Sequence, residues 1–310
     1  MRAEGCSDSY TRRTLAVLQG AMNRALREGE LQTAPHIALP AEAEARERVA
    51  SVEEVARLLR AAESEHLRRY LLLAIGTAAR PEAILQLATF QCDLEARVIK
   101  LNPPGRRQNK KRRPTLPMAG FLVPLIRDAE PGLLVAYRPH NARPDSDPRP
   151  MKSIRSPFRR LVARAQLQAR QEAAPRVRAL WRSGQREAAW KALQQARAAA
   201  DALLEITPYT LRHTVATELR KRGVPVWEVA GFLGHSSGYK TTERYAKIGP
   251  DHLAECVRAL EAYFVDLRGK LGGDPLWSDF HPSACQLRAS EPWKVVEPSG
   301  IEPLTSTMPL

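Results

Sequence analysis

Tyr209-Thr-Leu-Arg212-His213-Thr is followed along this chain by Leu233-Gly234-His235-Ser and then by Thr241-Thr-Glu-Arg-Tyr245-Ala. An arginine offers a planar fork of donors that matches phosphate oxygens. A histidine can hydrogen-bond or transfer a proton near neutral pH, and a tyrosine can act as a covalent nucleophile. The order of these side chains predicts a site that attacks a phosphodiester.

An upstream block, Gly76-Thr-Ala-Ala-Arg80, adds a second arginine, and a basic segment surrounds Lys110. Together these motifs resemble the tyrosine recombinase (phage integrase) family, and they span most of the chain. The resemblance implies a mainly α fold with a small three-stranded antiparallel β-sheet, the tyrosine recombinase catalytic-domain fold. It also implies a site-specific DNA recombinase, the integrase of a mobile element, that cuts and rejoins DNA through a 3′-phosphotyrosine intermediate.

The composition favours a polyanionic partner, because 48 Lys and Arg against 34 Asp and Glu give the 310 residues a formal net charge of +14. The four cysteines are far apart and match no paired metal-ligand spacing. The chain starts without the apolar stretch of a secretory signal, and no apolar run is long enough to span a membrane. We therefore expect a cytoplasmic protein without membrane contact, metal or cofactor.

The resemblance also suggests a domain organisation. Residues 41–272 are predicted as the catalytic domain, with a helical insertion at about 167–205, and residues 273–310 as a disordered tail. Residues 1–40 are interpreted as a truncated remnant of the helical core-binding domain. An amphipathic helix is predicted within Tyr10–Leu31, and Gly29 closes its pattern. A misassigned start codon, a truncated gene and a reduced DNA clamp are the alternatives for this short segment, and a simple packing helix is the plainer one.

Local signals predict the elements around Arg80. Ser51 with Glu54 three residues later forms a capping-box pattern that starts a helix. A second helix is predicted from Glu65 to Thr77. Pro81 suits a first helical turn, so Arg80 is expected at a junction between two helices.

The basic segment predicts part of the sheet. Val98–Leu101 alternates as a strand does, and Arg106–Met118 is interpreted as a strongly basic hairpin. Pro114 and Pro117 limit the last strand to an edge or terminal role. A Pro- and Arg-rich loop is expected from Pro139 to Pro150.

Helical patterns follow at Phe121–Ala129, Ser156–Gln168, Pro175–Leu204, Pro208–Arg222, Pro225–Leu233 and Asp251–Leu271. Only Gly184 breaks the stretch after Pro175, which is expected to be a solvated hairpin; a DNA or protomer contact is the alternative. For the last helix, periodicity leaves two alternatives open: docking on a neighbouring protomer and packing on its own core.

The resemblance assigns roles to individual residues. Arg80 and Arg212 would bind the scissile phosphate, and Tyr245 would be the nucleophile. Tyr239 is a rival nucleophile, but it lacks the Thr-Thr-x-x-Tyr context. Cationic neighbours would favour the tyrosinate, since a free phenol has a pKa of about 10.

A lysine on the hairpin would protonate the leaving 5′ oxygen. Lys110 is our first choice and Lys111 the alternative. If both lie on a strand, neighbouring side chains point to opposite faces and only one can reach the site.

Two departures from the family pattern stand out. Tyr209 occupies a position where the family usually has histidine, and a phenol is a poor general base at neutral pH. Ala83 stands where an acidic residue is common, with Glu82 one position earlier, so Arg80 needs a different orienting partner. His235 is expected to hydrogen-bond the phosphate or to steady the nucleophile, and His213 to support Arg212.

The resemblance implies double-stranded DNA as the partner and a homo-tetramer on two duplexes, with an accessory DNA-bending protein as a further candidate. Chemistry like that of a type IB topoisomerase is a nearby alternative. A catalytically impaired DNA-binding protein derived from a recombinase is an alternative from another class, favoured by the short N-terminus and by Tyr209.

The tail from Val296 to Leu310 shows no packing pattern. The codons for Gly300-Ile301-Glu302-Pro303 can be chosen so that their reverse complement has the form of a transfer-RNA T arm. Because integrases of this family often insert into the 3′ ends of transfer-RNA genes, we hypothesise that the reading frame runs antisense into such an attachment site. Sequencing of the locus tests this, and codons that do not complement a T arm would refute it.

Overall fold

The computed structural model describes residues 5–42, 48–109, 111–139, 142–143, 146–235 and 249–272. Lys110, Tyr239, Tyr245 and the tail after residue 272 therefore lie outside the described residues. The chain divides into two compact units, Met1–Glu47 and Arg48–Leu310. In the first unit, helix α1 spans Asp8–Arg27, and the backbone N–H of Tyr10 donates to the Ser7 hydroxyl that caps it. It begins and ends earlier than predicted, and Gly29 follows it with a φ of +77°.

Helices α2 (Val52–Ala61) and α3 (Glu65–Thr77) begin the second unit. The predicted capping box is confirmed: Glu54 N–H donates to the Ser51 hydroxyl (3.2 Å), and Ser51 N–H donates to the Glu54 carboxylate (2.7 Å). Helix α3 has the predicted bounds, and every residue from Tyr70 to Thr77 is buried. It forms the centre of the hydrophobic core, which fixes the position of its C-terminal end.

Arg80 lies at a junction between helices, as predicted. Ala78 ends α3 in the left-handed region, with a φ of +45°. Arg80 then adopts an extended conformation as the N-cap of α4 (Pro81–Leu85), with Pro81 in the first turn. The turn between two buried helices therefore sets the direction in which Arg80 leaves the backbone.

A three-stranded antiparallel sheet is present, in the order β1 (Cys92–Asp93), β2 (Val98–Lys100), β3 (Thr115–Pro117). Together with the helices, it confirms the predicted fold class. Ile99 lies opposite Leu116 on β3 and opposite Cys92 on β1. The proline-containing strand is at the edge, as predicted. The N–H of the next residue, Met118, donates to the Arg97 carbonyl, so position 117 faces away from β2 and Pro117 costs no ladder hydrogen bond.

The predicted hairpin within Arg106–Met118 is wrong for the described part of that segment, where only Thr115–Pro117 is a strand. The third strand is Cys92–Asp93, which follows a 3₁₀ turn at Thr89–Gln91. The β2–β3 connection is held by its own side chains instead of by strand pairing. The Gln108 amide bonds the backbone N–H and C=O of Arg113 (3.1 and 2.8 Å), which takes the place of a ladder.

Helix α5 (Leu122–Arg127) follows the sheet, and a short antiparallel pair, β4 (Ala136–Tyr137) and β5 (Arg149–Pro150), closes the loop after it. The loop predicted to run to Pro150 therefore ends in a strand. Helix α6 spans Arg155–Arg182 without interruption, and α7 spans Arg186–Ala202 after a turn at Gly184, which has a φ of +74°. Pro175 was expected to begin a helix, but it lies inside α6, on an exposed turn.

A 3₁₀ turn at Leu203–Glu205 leads to α8 (Pro208–Lys221), α9 (Val226–Leu233), a 3₁₀ turn at Pro250–Leu253 and α10 (Ala254–Leu271). Helix α10 packs against α2, α8 and α9. Leu253, Leu260 and Phe264 are buried, and Phe264 stacks on Phe121 with ring centroids 4.2 Å apart. The apolar face of the last helix thus packs on its own core. Within the described part of the chain, no helix is long and apolar enough to cross a membrane.

Candidate functional site

Helix α8 has a tightly defined start. Thr207 and Thr210 cap each other reciprocally, because each backbone N–H donates to the other hydroxyl at 3.1 Å. Pro208 occupies the first turn, where its missing N–H is not needed. The first turns of α8 therefore present Tyr209 and Arg212 from a fixed helix end.

Arg212 is 9% exposed and is held by the ends of two other helices. One terminal nitrogen, Nη1, donates to the Ala78 carbonyl at the end of α3 (2.7 Å), and Nη2 donates to the Leu233 carbonyl at the end of α9 (2.7 Å). Helix C-termini carry unsatisfied carbonyls and partial negative charge, so they suit a cation. Burial, together with the charge of Arg80, lowers the pKa of Arg212 to about 10, which leaves it cationic at neutral pH.

Arg80 is half-buried, and its Nη1 donates to the Arg112 carbonyl (2.9 Å). This carbonyl is the orienting partner that the absence of an acid at Ala83 called for. Arg80 and Arg212 line one cavity, together with Arg112 and Arg113. Four arginines from three segments of the chain therefore line one cavity.

Gly234 packs closely against the Arg112 carbonyl that Arg80 contacts. It has a φ of +66°, and a Cβ built on it would lie 2.9 Å from the Arg112 oxygen and 2.8 Å from Pro114 Cδ. Only glycine combines this backbone conformation with so close an approach. The glycine of the Gly-His motif therefore fixes the β2–β3 connection against the end of α9.

His235 follows directly and reaches Arg212, with its Nε2 3.3 Å from Nη2 of the guanidinium. A guanidinium only donates, so this contact suits the neutral imidazole with Nε2 as acceptor. Partial burial, then the charges of Arg212, Arg80 and His213, lower the pKa of His235. At neutral pH His235 is therefore uncharged, and its Nε2 can accept a hydrogen bond without adding a charge to the site.

Arg113 is a site residue that sequence reasoning missed. It is 9% exposed and its Nη1 donates to the Gln86 side chain (2.8 Å). Burial, Arg106 and Arg80 lower the pKa of Arg113, and Glu82 opposes them. Arg113 is held in this cavity by its contact with Gln86, 27 positions away in the sequence, and no local sequence pattern predicts such a contact.

Arg80 and Arg212 form no ion pair with any carboxylate of the described residues, whereas many other arginines of this chain do; Arg60, for example, lies 3.0 Å from Glu53. Two adjacent cations without an acid raise each other's electrostatic energy, and an anion between them would lower it. No group of three or more His, Cys, Asp or Glu side chains that could hold a metal occurs in the described ranges. The arrangement is suited to binding a phosphate with arginine.

The structure brings together three of the predicted site residues, Arg80, Arg212 and His235. Tyr209 is 53% exposed one turn before Arg212. Lys110 and Tyr245 lie outside the described residues, so their placement stays a prediction. Lys111 is exposed on an irregular segment, so the strand alternation expected to separate the two lysines does not apply to it.

Comparisons with known proteins give a consistent picture. The sequence model of the phage integrase family matches residues 48–252. The tyrosine recombinase XerD of Corynebacterium glutamicum is 27% identical over 265 residues, which cover 82% of this chain and 75% of the relative. The tyrosine recombinase XerA of Pyrococcus horikoshii is 39% identical over 54 residues, only 17% of this chain and 19% of the relative.

Among solved structures, the integrase of mycobacterium phage Brujita matches with a TM-score of 0.43 at 18% identity, over 86% of this chain and 80% of that one. A XerA recombinase crystal structure matches with a TM-score of 0.37 at 19% identity, over 71% and 64% of the two chains. The family match covers more than half of the sequence. The chain belongs to the phage integrase family, and its enzyme class is that of the tyrosine-type site-specific recombinases.

Proposed function

We propose that this protein cuts and rejoins double-stranded DNA at a specific site through a 3′-phosphotyrosine intermediate, as the integrase of a mobile element. The observation that carries the proposal is the pair Arg80 and Arg212, fixed by backbone carbonyls in one cavity and facing no carboxylate of the described residues. Such a pair matches the two nonbridging oxygens of a phosphodiester.

In the proposed reaction, the Tyr245 oxygen attacks the phosphorus, forms a 3′-phosphotyrosine ester and displaces the 5′ oxygen. The two arginines stabilise the negative charge of the transition state, and because they are already in place they need no reorganisation. The 5′ hydroxyl of a second strand then attacks the ester, releases Tyr245 and completes the exchange. The ester conserves the bond energy, so the balance needs no ATP.

The proposed reaction also needs groups that donate and accept protons at the phosphate. Lys110 donates a proton to the leaving 5′ oxygen, with Lys111 as the alternative donor. His235, neutral and in contact with Arg212, accepts a hydrogen bond or proton near the phosphate. Tyr209 can donate a hydrogen bond to a phosphate oxygen from the first turn of α8.

We extend the proposal to assembly. Residues 1–40 would act as a core-binding segment and residues 41–272 as the catalytic domain, with 167–205 as an insertion. The active form would be a homo-tetramer on two DNA duplexes in the cytoplasm, with or without an accessory DNA-bending protein. Recombination between paired attachment sites from the flanking DNA tests this assembly.

Covalent capture tests the chemistry. Wild-type protein incubated with a nicked duplex of its attachment site should retain DNA after denaturation, and Tyr245→Phe should retain none while still binding. Tyr239→Phe is the matched control and should behave as wild type. Persistent covalent product in Tyr245→Phe would overturn the nucleophile, and DNA binding without any product from wild type would favour the catalytically impaired alternative.

The proton donor has its own test. Lys110→Ala should slow cleavage, and a substrate with sulfur at the 5′-bridging position should restore much of the rate, because a thiolate leaves without protonation. Rescue of Lys111→Ala in place of Lys110→Ala would exchange the two roles.

A further inference from the structure

The hairpin of α6 and α7 has two halves with different electrostatics. At its base, acidic side chains neutralise the cations: Glu172 lies 3.0 Å from Arg60 and 3.5 Å from Arg57 of α2, and Arg170 lies 3.1 Å from Asp201. The Gln166 amide also donates to the carbonyl of Ala200, the residue at which the distal half meets the base (2.9 Å). The base is therefore paired within the protein and attached to α2.

The distal half, residues 173–200, contains a single carboxylate, Glu187. Its six cations are Arg176, Arg178, Arg182, Arg186, Lys191 and Arg197. All six are exposed, and none forms an ion pair with a carboxylate in the part of the chain that the structure describes. The distal half therefore carries six cations against one carboxylate, an excess of positive charge on the surface of the two helices.

Two tryptophans lie among these cations. Trp181 is 46% exposed and Trp190 is 53% exposed, whereas indole rings are highly buried on average. Trp181 lies one turn from Arg178, and Trp190 lies one turn from Arg186. An exposed indole supplies an apolar ring and one N–H donor to a binding partner, and the neighbouring guanidinium supplies charged N–H donors.

The distal half projects from the core. The last α6 residue in the main hydrophobic core is Ala165, and α6 continues to Arg182, about 26 Å further at 1.5 Å per residue. Beyond Ala169 only Val177, Ala189 and Ala200 are buried, so the distal half is a two-helix arm with a thin core.

We propose that this arm, residues 173–200, is a second DNA-binding surface that binds the phosphate backbone of duplex DNA outside the cleavage site. The proposal rests on the proposed function for its choice of a DNA substrate, and it assigns the arm a role in affinity and not in chemistry. The arginines and Lys191 would contact phosphates, and the indoles would pack against the sugars of the backbone.

Charge decides between DNA and a second copy of this chain as the occupant. The protein has a net charge of +14, so a second copy would bring another basic surface against six unpaired cations. A duplex carries one negative charge for about every 1.7 Å of its axis, and neutralising it releases counterions. The arm therefore suits a nucleic acid backbone and is unsuited to self-association.

The experiment compares two triple variants with the same loss of charge. Arg178→Gln, Arg182→Gln and Arg186→Gln are combined in the arm, and Arg127→Gln, Arg258→Gln and Lys270→Gln are combined on α5 and α10 as the control. All six residues are exposed on helices, and glutamine is a good helix former. Arg258 also forms an exposed ion pair with Glu255, and such pairs contribute little to stability. Thermal unfolding should therefore change little in either triple. Binding to a random-sequence duplex is measured by fluorescence anisotropy over a series of salt concentrations.

Each lost phosphate contact lowers the slope of log K against log salt by about 0.9, so we expect the arm triple to lower it by about two to three and to bind at least about tenfold more weakly at low salt. The control triple should keep most of the wild-type slope. An arm triple with the wild-type slope would overturn the proposal. So would a change in the oligomeric state without a change in slope, which would assign the arm to a second copy.

Tryptophan fluorescence gives a second readout. DNA should quench wild-type emission, and Trp181→Phe combined with Trp190→Phe should remove much of that quenching; undiminished quenching would contradict the proposal. Covalent capture takes no part in these measurements. Loss of the arm's DNA binding and loss of the proposed catalytic activity are therefore distinguishable results.

Discussion

The cavity around Arg212 and the arm at residues 173–200 use the same side chain in opposite ways. Arg212 is 9% exposed, and two helix ends hold its terminal nitrogens. The arm's arginines are exposed, and none has a carboxylate partner among the described residues. A fixed arginine is oriented before the substrate arrives, whereas a mobile one is ordered only on binding.

This difference separates chemistry from affinity. A preorganised cation in a low-dielectric cavity stabilises transition-state charge strongly. A solvated cation contributes through counterion release, which depends on salt and tolerates small shifts in position. A defect in the arm should therefore be compensated by more protein or less salt, and a defect in the cavity should not.

The largest effect should come from Arg80→Gln. It removes one of the two cations proposed to contact the phosphate, so the single-turnover rate of covalent complex formation should fall by about 100-fold to 1,000-fold. Arg113→Gln gives a second rate from the same cavity, for an arginine that is not proposed to contact the phosphate. Because Arg113 is tied to Gln86 and acts through its field, its loss should cost only about tenfold. Equal rates for Arg80→Gln and wild type would show that the phosphate binds elsewhere.

Gly234→Ala should disrupt the cavity, because the added Cβ would displace the backbone that lines it. The left-handed φ and the contacts with the Arg112 oxygen and Pro114 together should lower the free energy of unfolding by about 3 kcal/mol, and cleavage should also slow. Gly223→Ala is the matched control, because Gly223 has a φ of +85° but open space around its Cβ position. It should cost only about 1 kcal/mol. Urea denaturation measures both, and equal costs would contradict the close approach.

A smaller effect is expected at the turn that supplies the Ala78 carbonyl to Arg212. Ala78→Gly relieves the strain of the left-handed backbone conformation. It also removes a buried methyl group and adds the larger loss of backbone entropy that glycine undergoes on folding. Because these effects oppose each other, the free energy of unfolding should stay within about 0.5 kcal/mol of wild type. Ala79→Gly, at a buried position without positive φ, should destabilise by about 1 to 1.5 kcal/mol. The reverse order in thermal unfolding would show that Ala78 is unstrained.

The smallest effect is a pH dependence at His235. Its pKa is lowered below 6.5 in the folded protein, so below that pH the unfolded chain binds more protons. Stability should fall as the pH drops from about 6.5 towards the folded value, and His235→Gln should show a shallower fall. Burial and the charge of Arg160 lower the pKa of His66, and Glu65 opposes them. Because His66 is present in both the wild type and His235→Gln, its contribution cancels when the two stability curves are subtracted. Parallel curves for the two proteins would contradict the environment assigned to His235.

Elements with local signals could be predicted from the sequence. The capping box at Ser51, the bounds of α3 and the junction at Arg80 depend on residues within a few positions of each other. The structure also brings together Arg80, Arg212 and His235, which the family resemblance of their motifs predicts in one site.

Features set by distant contacts could not be predicted. Strand β1 has two residues, too few for a periodic pattern, and it pairs only because β2 lies beside it. The segment before β3 is irregular because Gln108 bonds Arg113 across it. Pro175 lies inside α6, although a proline there removes one helix hydrogen bond, and α6 packs along α7 on both sides of it. Arg113 reaches the cavity through Gln86, a contact without a local signature.

The role of Arg212 in binding the scissile phosphate is tested by the rate at which Arg212→Gln forms the covalent complex on a nicked attachment-site duplex, measured at saturating protein. Arg127→Gln, an exposed arginine on α5, is the matched control. We expect Arg127→Gln to react at the wild-type rate. Arg212→Gln should react at least about 100-fold more slowly, and neither more protein nor lower salt should restore its rate. A rate for Arg212→Gln within a few fold of wild type, or its recovery at high protein concentration, would contradict this role of Arg212.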